Sequence, residues 1–380
     1  MAHADRSRLL PLLLALVALA ALWLMPDIET EPIDFGPSAS EAWRAVIVDT
    51  APPLESDDPF APGNEMLVEF REGPRAGEQA LALVTILTGT AAGQSLEPGD
   101  EVVVSITEGF DGGEVVAVSE PYRLPALGLL AFIFGLVMIL VGGWQGLRAL
   151  VGLGLTIVLV AKVFIPLLLS GASPVPLAIG LAVIVTTSTI LLTEGFTRVG
   201  VVAIAGTVGG LLVTAVLAGL FSGVVTFSDL SAGQIAYLRL PSGELLDIGG
   251  ILLAAIILGA VGVLDDVTVT QAATVDELSS REAQPPAALW RRAMRIGRSH
   301  IAATTNTLFM AYVGASLPAL VFIVVVAEPA LLTLNREVLA LEIVRTLVGS
   351  IGIVLAMPLT TAIAAWAFGR AAGTEVAADD

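Results

Sequence analysis

Residues 199–221 read VGVVAIAGTVGGLLVTAVLAGLF, twenty-three residues without one charged side chain. A hydrocarbon layer about 30 Å thick is crossed by roughly 20 helical residues, and a backbone in lipid must satisfy its own hydrogen bonds. The stretch is long enough and almost apolar all round, so it reads as a transmembrane helix. The same length criterion, applied outward along the chain, finds seven more runs at 9–25, 124–141, 149–170, 175–192, 248–264, 301–327 and 347–368. Composition agrees. A chain of 380 residues with 56% hydrophobic residues, 14% charged residues and a mean hydropathy of +0.88 lies outside the soluble range.

Orientation follows from the arginines, since basic residues stay cytoplasmic beside short loops. With the amino terminus inside, the inner segments hold Arg6, Arg8, Arg148, Arg198, Arg281, Arg291, Arg292, Arg295, Arg298 and Arg370. The short outer loops hold only Arg239, Arg336 and Arg345. Both termini are then cytoplasmic, and the cell membrane is the expected location. Residues 1–26 are expected to be a retained anchor, with Trp23, Met25 and Pro26 at a membrane exit. A secretory signal peptide is the alternative, because two arginines followed by a Leu- and Ala-rich core also fit one.

The formal net charge of −18 is concentrated in one place. Residues 27–123 carry twenty acids against Arg44, Arg71, Arg75 and Arg123, a balance of −16. An acidic surface keeps an exposed domain soluble and suits cations or basic partners, not nucleic acid. Short alternating or β-branched stretches at 42–49, 66–70, 79–87, 101–107 and 114–118 are separated by turn chemistry, including Pro98-Gly99-Asp100 and Asp111-Gly112-Gly113. The Pro- and Asp-rich stretch 51–64 reads as a loop. The expected fold is an all-α polytopic membrane helix bundle of about eight transmembrane helices, with a small extracytoplasmic β-barrel or β-sandwich-like domain. Its divisions are 1–26, the acidic β-rich domain at 27–123, a seven-helix membrane domain at 124–370 and a disordered cytoplasmic tail at 371–380.

Polar residues inside apolar runs mark sites, because an unsatisfied polar group in lipid is costly. The sixth run continues as Gly262-Val-Leu-Asp265-Asp266-Val-Thr-Val-Thr270-Gln271-Ala-Ala-Thr274-Val-Asp276-Glu277-Leu278. At 100° per residue Asp266, Thr270, Ala273 and Glu277 share one face, while Leu264, Val267, Val275 and Leu278 cluster opposite. In the seventh run Asn306 lies five residues past Ile301, near the depth of Asp266. Asp266, Thr270, Glu277, Thr305 and Asn306 are therefore expected to form one polar site on the cytoplasmic half. A buried carboxylate beside an amide and hydroxyls is a ligand set for a proton or a sodium ion; solvation at the interface is the alternative. Asp265 is expected to matter less than Asp266. Thr307, Ala311, Gly314 and Pro318 form a small-residue stripe suited to helix packing. Thr305, Phe309, Tyr312 and Ser316 form another face. Lys162, the only lysine, sits inside the third run and either snorkels outward or pairs with an acid such as Asp229, Glu328 or Glu342. Lys162, Asp265, Glu342 and Arg298 are thus candidates for structural or coupling roles.

These motifs resemble the YibE/YibF-like multi-pass membrane proteins. The resemblance rests on the segment from Gly262 to Leu278, on Gly297-Arg298 followed by Thr305-Asn306-Thr307-Leu308 and Ala311-Tyr312-Val313-Gly314, and on Gly349-Ser350-Ile351-Gly352 leading to Pro358. In that family pattern an acid commonly follows Gly-Arg, where Ser299 stands here, and an apolar residue commonly occupies the place of Asp265. The resemblance implies an integral membrane protein with an external domain; it carries no settled activity.

Enzyme chemistry finds no support in residue types. There is no cysteine, which removes thiol and thiolate-metal chemistry, and His3 and His300 are the only histidines. No Gly-x-Ser-Gly or Gly-x-Gly-Asp element is present, and Asp265-Asp266 has no further acid at the spacing of a magnesium-diphosphate site. No cofactor or metal is expected. The function expected is transport of a small solute or cation across the lipid bilayer. The alternative is an envelope or signalling scaffold that binds a protein partner through its outer β domain.

Overall fold

The computed structural model describes residues 2–24, 41–50, 65–84, 96–108, 113–225, 247–282, 284–326 and 329–369. The chain divides into two compact units, residues 32–137 and residues 1–31 with 138–380.

In the first unit, β1 (Glu41–Thr50), β2 (Glu65–Phe70), β3 (Gln79–Val84), β4 (Glu101–Glu108) and β5 (Glu114–Pro121) close a barrel in the order β1-β2-β3-β5-β4. All pairings are antiparallel except β3 with β5, where Leu83 faces Ala117. This is the five-stranded Greek-key barrel of the OB type, which closes the sheet and leaves no long edge. Each strand turns alternate residues inward, as a period of two requires. Ala45, Ile47, Val68, Phe70, Ala82, Val102 and Val104 are buried to 1% exposure or less. Burying a side chain such as Phe70 contributes about 1.5–3 kcal/mol. The Pro98-Gly99 turn forms as expected, with Asp100 N–H donating to Glu97 O at 3.0 Å and Gly99 at φ +102°. The loop expected at 51–64 and the turn centred on 111–112 lie outside the described residues.

Each arginine of this unit is ion-paired: Arg44 with Glu72 and Glu101, Arg71 with Glu69, Arg75 with Glu78 and Glu114, and Arg123 with Glu120. The hydrogen bond that Arg44 donates to Glu101 holds its guanidinium above the ordinary value. Exposed pairs of this kind contribute little stability one by one.

The second unit is helical. Helix α1 (Ala2–Leu24) is followed beyond the barrel by α2 (Leu124–Leu159), whose residues 124–137 belong to the first unit, and then by a π turn (Val160–Phe164) and α3 (Ile165–Leu169). Then come α4 (Pro174–Thr193), α5 (Arg198–Val225), α6 (Ile248–Arg281), α7 (Pro286–Ala315), α8 (Leu317–Val326), α9 (Ala330–Asn335) and α10 (Glu337–Phe368). Among the described residues, five helical stretches are long and apolar enough to cross a membrane: Leu124–Leu169, Pro174–Thr193, Arg198–Phe221, Ile248–Arg281 and Leu339–Phe368.

The first of these merges two expected runs. Its 46 residues would span about 69 Å if straight, more than twice the hydrocarbon thickness. Gly143 breaks it, with φ 54° and ψ −133°, a backbone conformation that a side chain would strain. The run expected at 301–327 is likewise divided, because α7 ends at Ala315 and Ser316 turns the chain into α8 just before Pro318. A proline at the second position of α8 costs no helix bond there. Lys162 is half-buried in the π turn; of its proposed partners, Glu342 pairs with Arg345 at 2.7 Å, while 229 and 328 lie outside the described residues.

Helix α6 is central, packed against α4, α5, α7 and α10. The α5–α10 seam is held close by glycines. A Cβ added at Gly206 would run into Thr360, one at Gly352 into Thr214, and one at Gly210 would lie 2.7 Å from Ala356 Cβ and 2.8 Å from Leu264 Cδ2. Small residues let helix backbones approach where lipid gives no hydrophobic drive to associate. Leu211, Leu264, Ile353 and Met357 fill the centre of the core.

Candidate functional site

A polar layer crosses this apolar core. Helix α4 supplies Thr186 and Thr189, three residues apart and so on neighbouring positions of one face. Helix α6 supplies Asp265, Thr268 and Gln271 at the same spacing, and α5 and α10 add Thr207, Thr360 and Thr361. Thr186, Thr207, Thr268, Gln271, Thr360 and Thr361 are all buried to 2% exposure or less.

Their hydrogen bonds link the helices. Thr186 Oγ1 lies 3.0 Å from Asp265 Oδ1, and Thr189 Oγ1 lies 3.2 Å from Asp265 Oδ2. Thr207 and Thr268 hydroxyls meet at 2.6 Å, and Thr268 Oγ1 donates to the Asp265 main-chain carbonyl at 3.2 Å. Gln271 Nε2 donates to Thr361 Oγ1 at 2.8 Å. Among the described residues no cationic side chain forms an ion pair with Asp265.

Asp265 also lines a cleft of about 590 Å³ between α2, α4 and α6. Gly152, Leu153 and Thr156 of α2, Leu181 and Val185 of α4, and Leu258 and Gly262 of α6 form most of its wall. Arg148, 4% exposed, lines it too and donates to Leu192 O at 3.0 Å. The cleft is thus apolar with one acid, one base and the hydroxyls of Thr156, Thr189 and Thr193, the few convergent polar groups that orient a small ligand.

The residues singled out in the sequence fall elsewhere. Asp266, Thr270 and Glu277 do share a face of α6, and all three are exposed. Glu277 pairs with Arg281 at 2.7 Å. Asn306 is exposed on α7, and no hydrogen bond joins it to Asp266. Thr305 is half-buried, its hydroxyl enclosed without a hydrogen-bond partner. Thr270 lines a second pocket of about 320 Å³ between α6 and α7, with Gln271, Thr274, Ser299 and His300. Phe309, Tyr312 and Ser316 line a third, of about 240 Å³, with Glu342 and Thr346. Arg298 is exposed. The signals that could have pointed to Asp265 are the two threonines three residues apart in Thr186-Thr-Ser-Thr189 and the hydroxyls in apolar stretches of three other helices.

Apolar helices of spanning length around a buried polar layer define a membrane protein. The chain belongs to the YibE/F-like protein family, whose model matches residues 130–370. That match covers the whole polar layer and the cleft. No curated protein and no solved structure matches the chain.

Proposed function

We propose that this chain is a small-solute or ion transporter of the cell membrane, with its site in the cleft between α2, α4 and α6. The observation that carries this is the Asp265 carboxyl, set among threonine hydroxyls at the wall of an otherwise apolar cleft of about 590 Å³. A carboxyl so placed is costly to a membrane helix and is retained where it binds something. The arginine distribution favours an orientation with both termini cytoplasmic and the acidic barrel outside. In that orientation the polar layer falls on the cytoplasmic half, since Asp265 lies about 26 Å along α6 from the end that would be outside. Packing of Leu12 and Ala15 into the core beside Leu155 and Leu192 favours a retained first helix. No catalytic role is assigned to the site.

A second reading, a scaffold that engages a partner through its outer domain, is favoured by one observation: the barrel is a compact unit of its own. Purified protein in liposomes separates the two. Transport predicts movement of at least one member of a panel of ions and small organic solutes under an imposed proton or sodium gradient, lost in Asp265→Asn. No movement of any member, with recovery of a defined partner through the barrel, would establish the scaffold instead.

A further inference from the structure

Helix α7 changes character along its length. From Ile301 to Ala315 it carries no charged side chain, whereas its first half, Pro286 to His300, holds Arg291, Arg292, Arg295 and Arg298. At 100° per residue Arg291, Arg295 and Arg298 fall within about 60° of one another. All three are exposed, while Leu289, Ala293 and Gly297, on the opposite side of the helix, are buried. The basic stripe therefore faces away from the bundle. Beyond His300 the same face continues through Ala302 and Asn306 to Phe309, which are exposed as well.

The chain has 36 acids for 18 bases, so an arginine finds a carboxylate easily. Those of the first unit are all ion-paired, and so are Arg281, Arg292 and Arg345. Among the described residues Arg291, Arg295 and Arg298 form no ion pair. The acids nearest along the chain do not serve them: Glu277 is taken by Arg281 and Glu282 by Arg292, while Asp266 and Asp276 stand on α6. Like charges three and four residues apart on a helix repel, so a partner of opposite sign on the stripe is stabilising.

Depth along the helix identifies that partner. Arg298 and Arg295 precede Ile301, where the apolar half begins, by about 4.5 Å and about 9 Å, and Arg291 by about 15 Å. The headgroup layer is roughly 6 Å thick on each side of the hydrocarbon, and a long arginine side chain follows the interface. Arg298 and Arg295 thus stand at headgroup level, with Arg291 at its outer edge. A guanidinium presents a planar fork of donors that matches the two free oxygens of a phosphodiester. We infer that Arg295 and Arg298 bind the phosphate of an anionic phospholipid, whose acyl chain lies along Ala302 and Phe309 on the same face of α7. This site is independent of the transport reading and of which side of the membrane α7 enters.

Native mass spectrometry of the full chain, titrated with phosphatidylglycerol or with phosphatidylcholine of the same acyl chains, tests the site. Wild type is expected to retain phosphatidylglycerol at lower concentration than phosphatidylcholine. Each basic residue near an anionic surface is worth about fivefold in binding, so Arg295→Gln with Arg298→Gln should weaken phosphatidylglycerol binding about 25-fold. The same double variant should leave phosphatidylcholine binding unchanged, and Arg291→Gln should cost less than about fivefold. Both arginines lie outside the packed face, so the thermal midpoint of the double variant in detergent should match wild type. Equal retention of the two lipids by wild type would overturn the proposal without recourse to any variant. Wild-type affinity for phosphatidylglycerol in the folded double variant would overturn it too. Inorganic phosphate bound as tightly as phosphatidylglycerol would replace the lipid with a free anion, and an acidic protein held on the stripe without any lipid preference would replace it with a protein partner.

Discussion

Two adjacent carboxylates, Asp265 and Asp266, show what one sequence reveals at the scale of the residue. Helical periodicity grouped Asp266 with Thr270 and Glu277 on the polar face of α6, and those three do lie together on the exposed face. The apolar face was read equally well, for Leu264, Val267 and Val275 are fully buried. Hidden was that the buried face carries its own polar groups, Thr268 and Gln271, with Asp265 at its border. Their partners stand on α4, α5 and α10, and no spacing within a single helix reports a contact across four. In the barrel, Gly73 makes a sharper residue-level case. It has φ +86° in the turn after β2, and a Cβ there would run into the Trp43 ring. Gly73→Ala is expected to cost about 1–3 kcal/mol through backbone strain and displacement of Trp43. Amide exchange in β1–β3 of the full chain should then quicken roughly tenfold or more, since about 1.4 kcal/mol is a factor of ten. Unchanged exchange would show that the turn relaxes freely.

Elements were legible in proportion to their regularity. All five strands were placed within three residues at each described end, because alternation with Pro, Gly and Asp turns leaves little freedom. Four spans, at 175–192, 199–221, 248–264 and 347–368, fall within single helices. The divisions were harder. Gly142-Gly143 looks like a loop in sequence, yet the chain only bends there and resumes its helix at once. Ser316 and Pro318 gave no warning of a break, since proline is common inside transmembrane helices. Close packing of α5 on α10 rests on Gly206, Gly210 and Gly352, and no spacing within either helix reports that these glycines face the other. Gly210→Leu tests the seam, because its side chain would displace Ala356 and Leu264. A loss of about 1–3 kcal/mol is expected, read as a lower thermal midpoint in detergent. A variant as stable as wild type would mean that the helices separate at little cost.

For the whole molecule, charge and hydropathy together specify an arrangement that neither states alone. Acidic residues crowd the barrel segment while arginines flank the helices on one proposed side. The chain has no cysteine, so single introduced thiols report topology cleanly. Ser170, after α3, and Ser280, near the end of α6, are both exposed. Ser170→Cys is expected to react with an impermeant maleimide on intact cells, and Ser280→Cys only after permeabilisation. Reaction of both from one side would invert or discard the orientation. The central claim is that Asp265, and not its exposed neighbour, is the working carboxyl of a transport cleft. Uptake of a panel of ions and small organic solutes under an imposed proton or sodium gradient by reconstituted wild type, Asp265→Asn and Asp266→Asn, measured side by side, tests it most directly. Wild type and Asp266→Asn should take up at least one member of the panel while Asp265→Asn falls to the level of empty liposomes; uptake by Asp265→Asn equal to wild type would contradict the account.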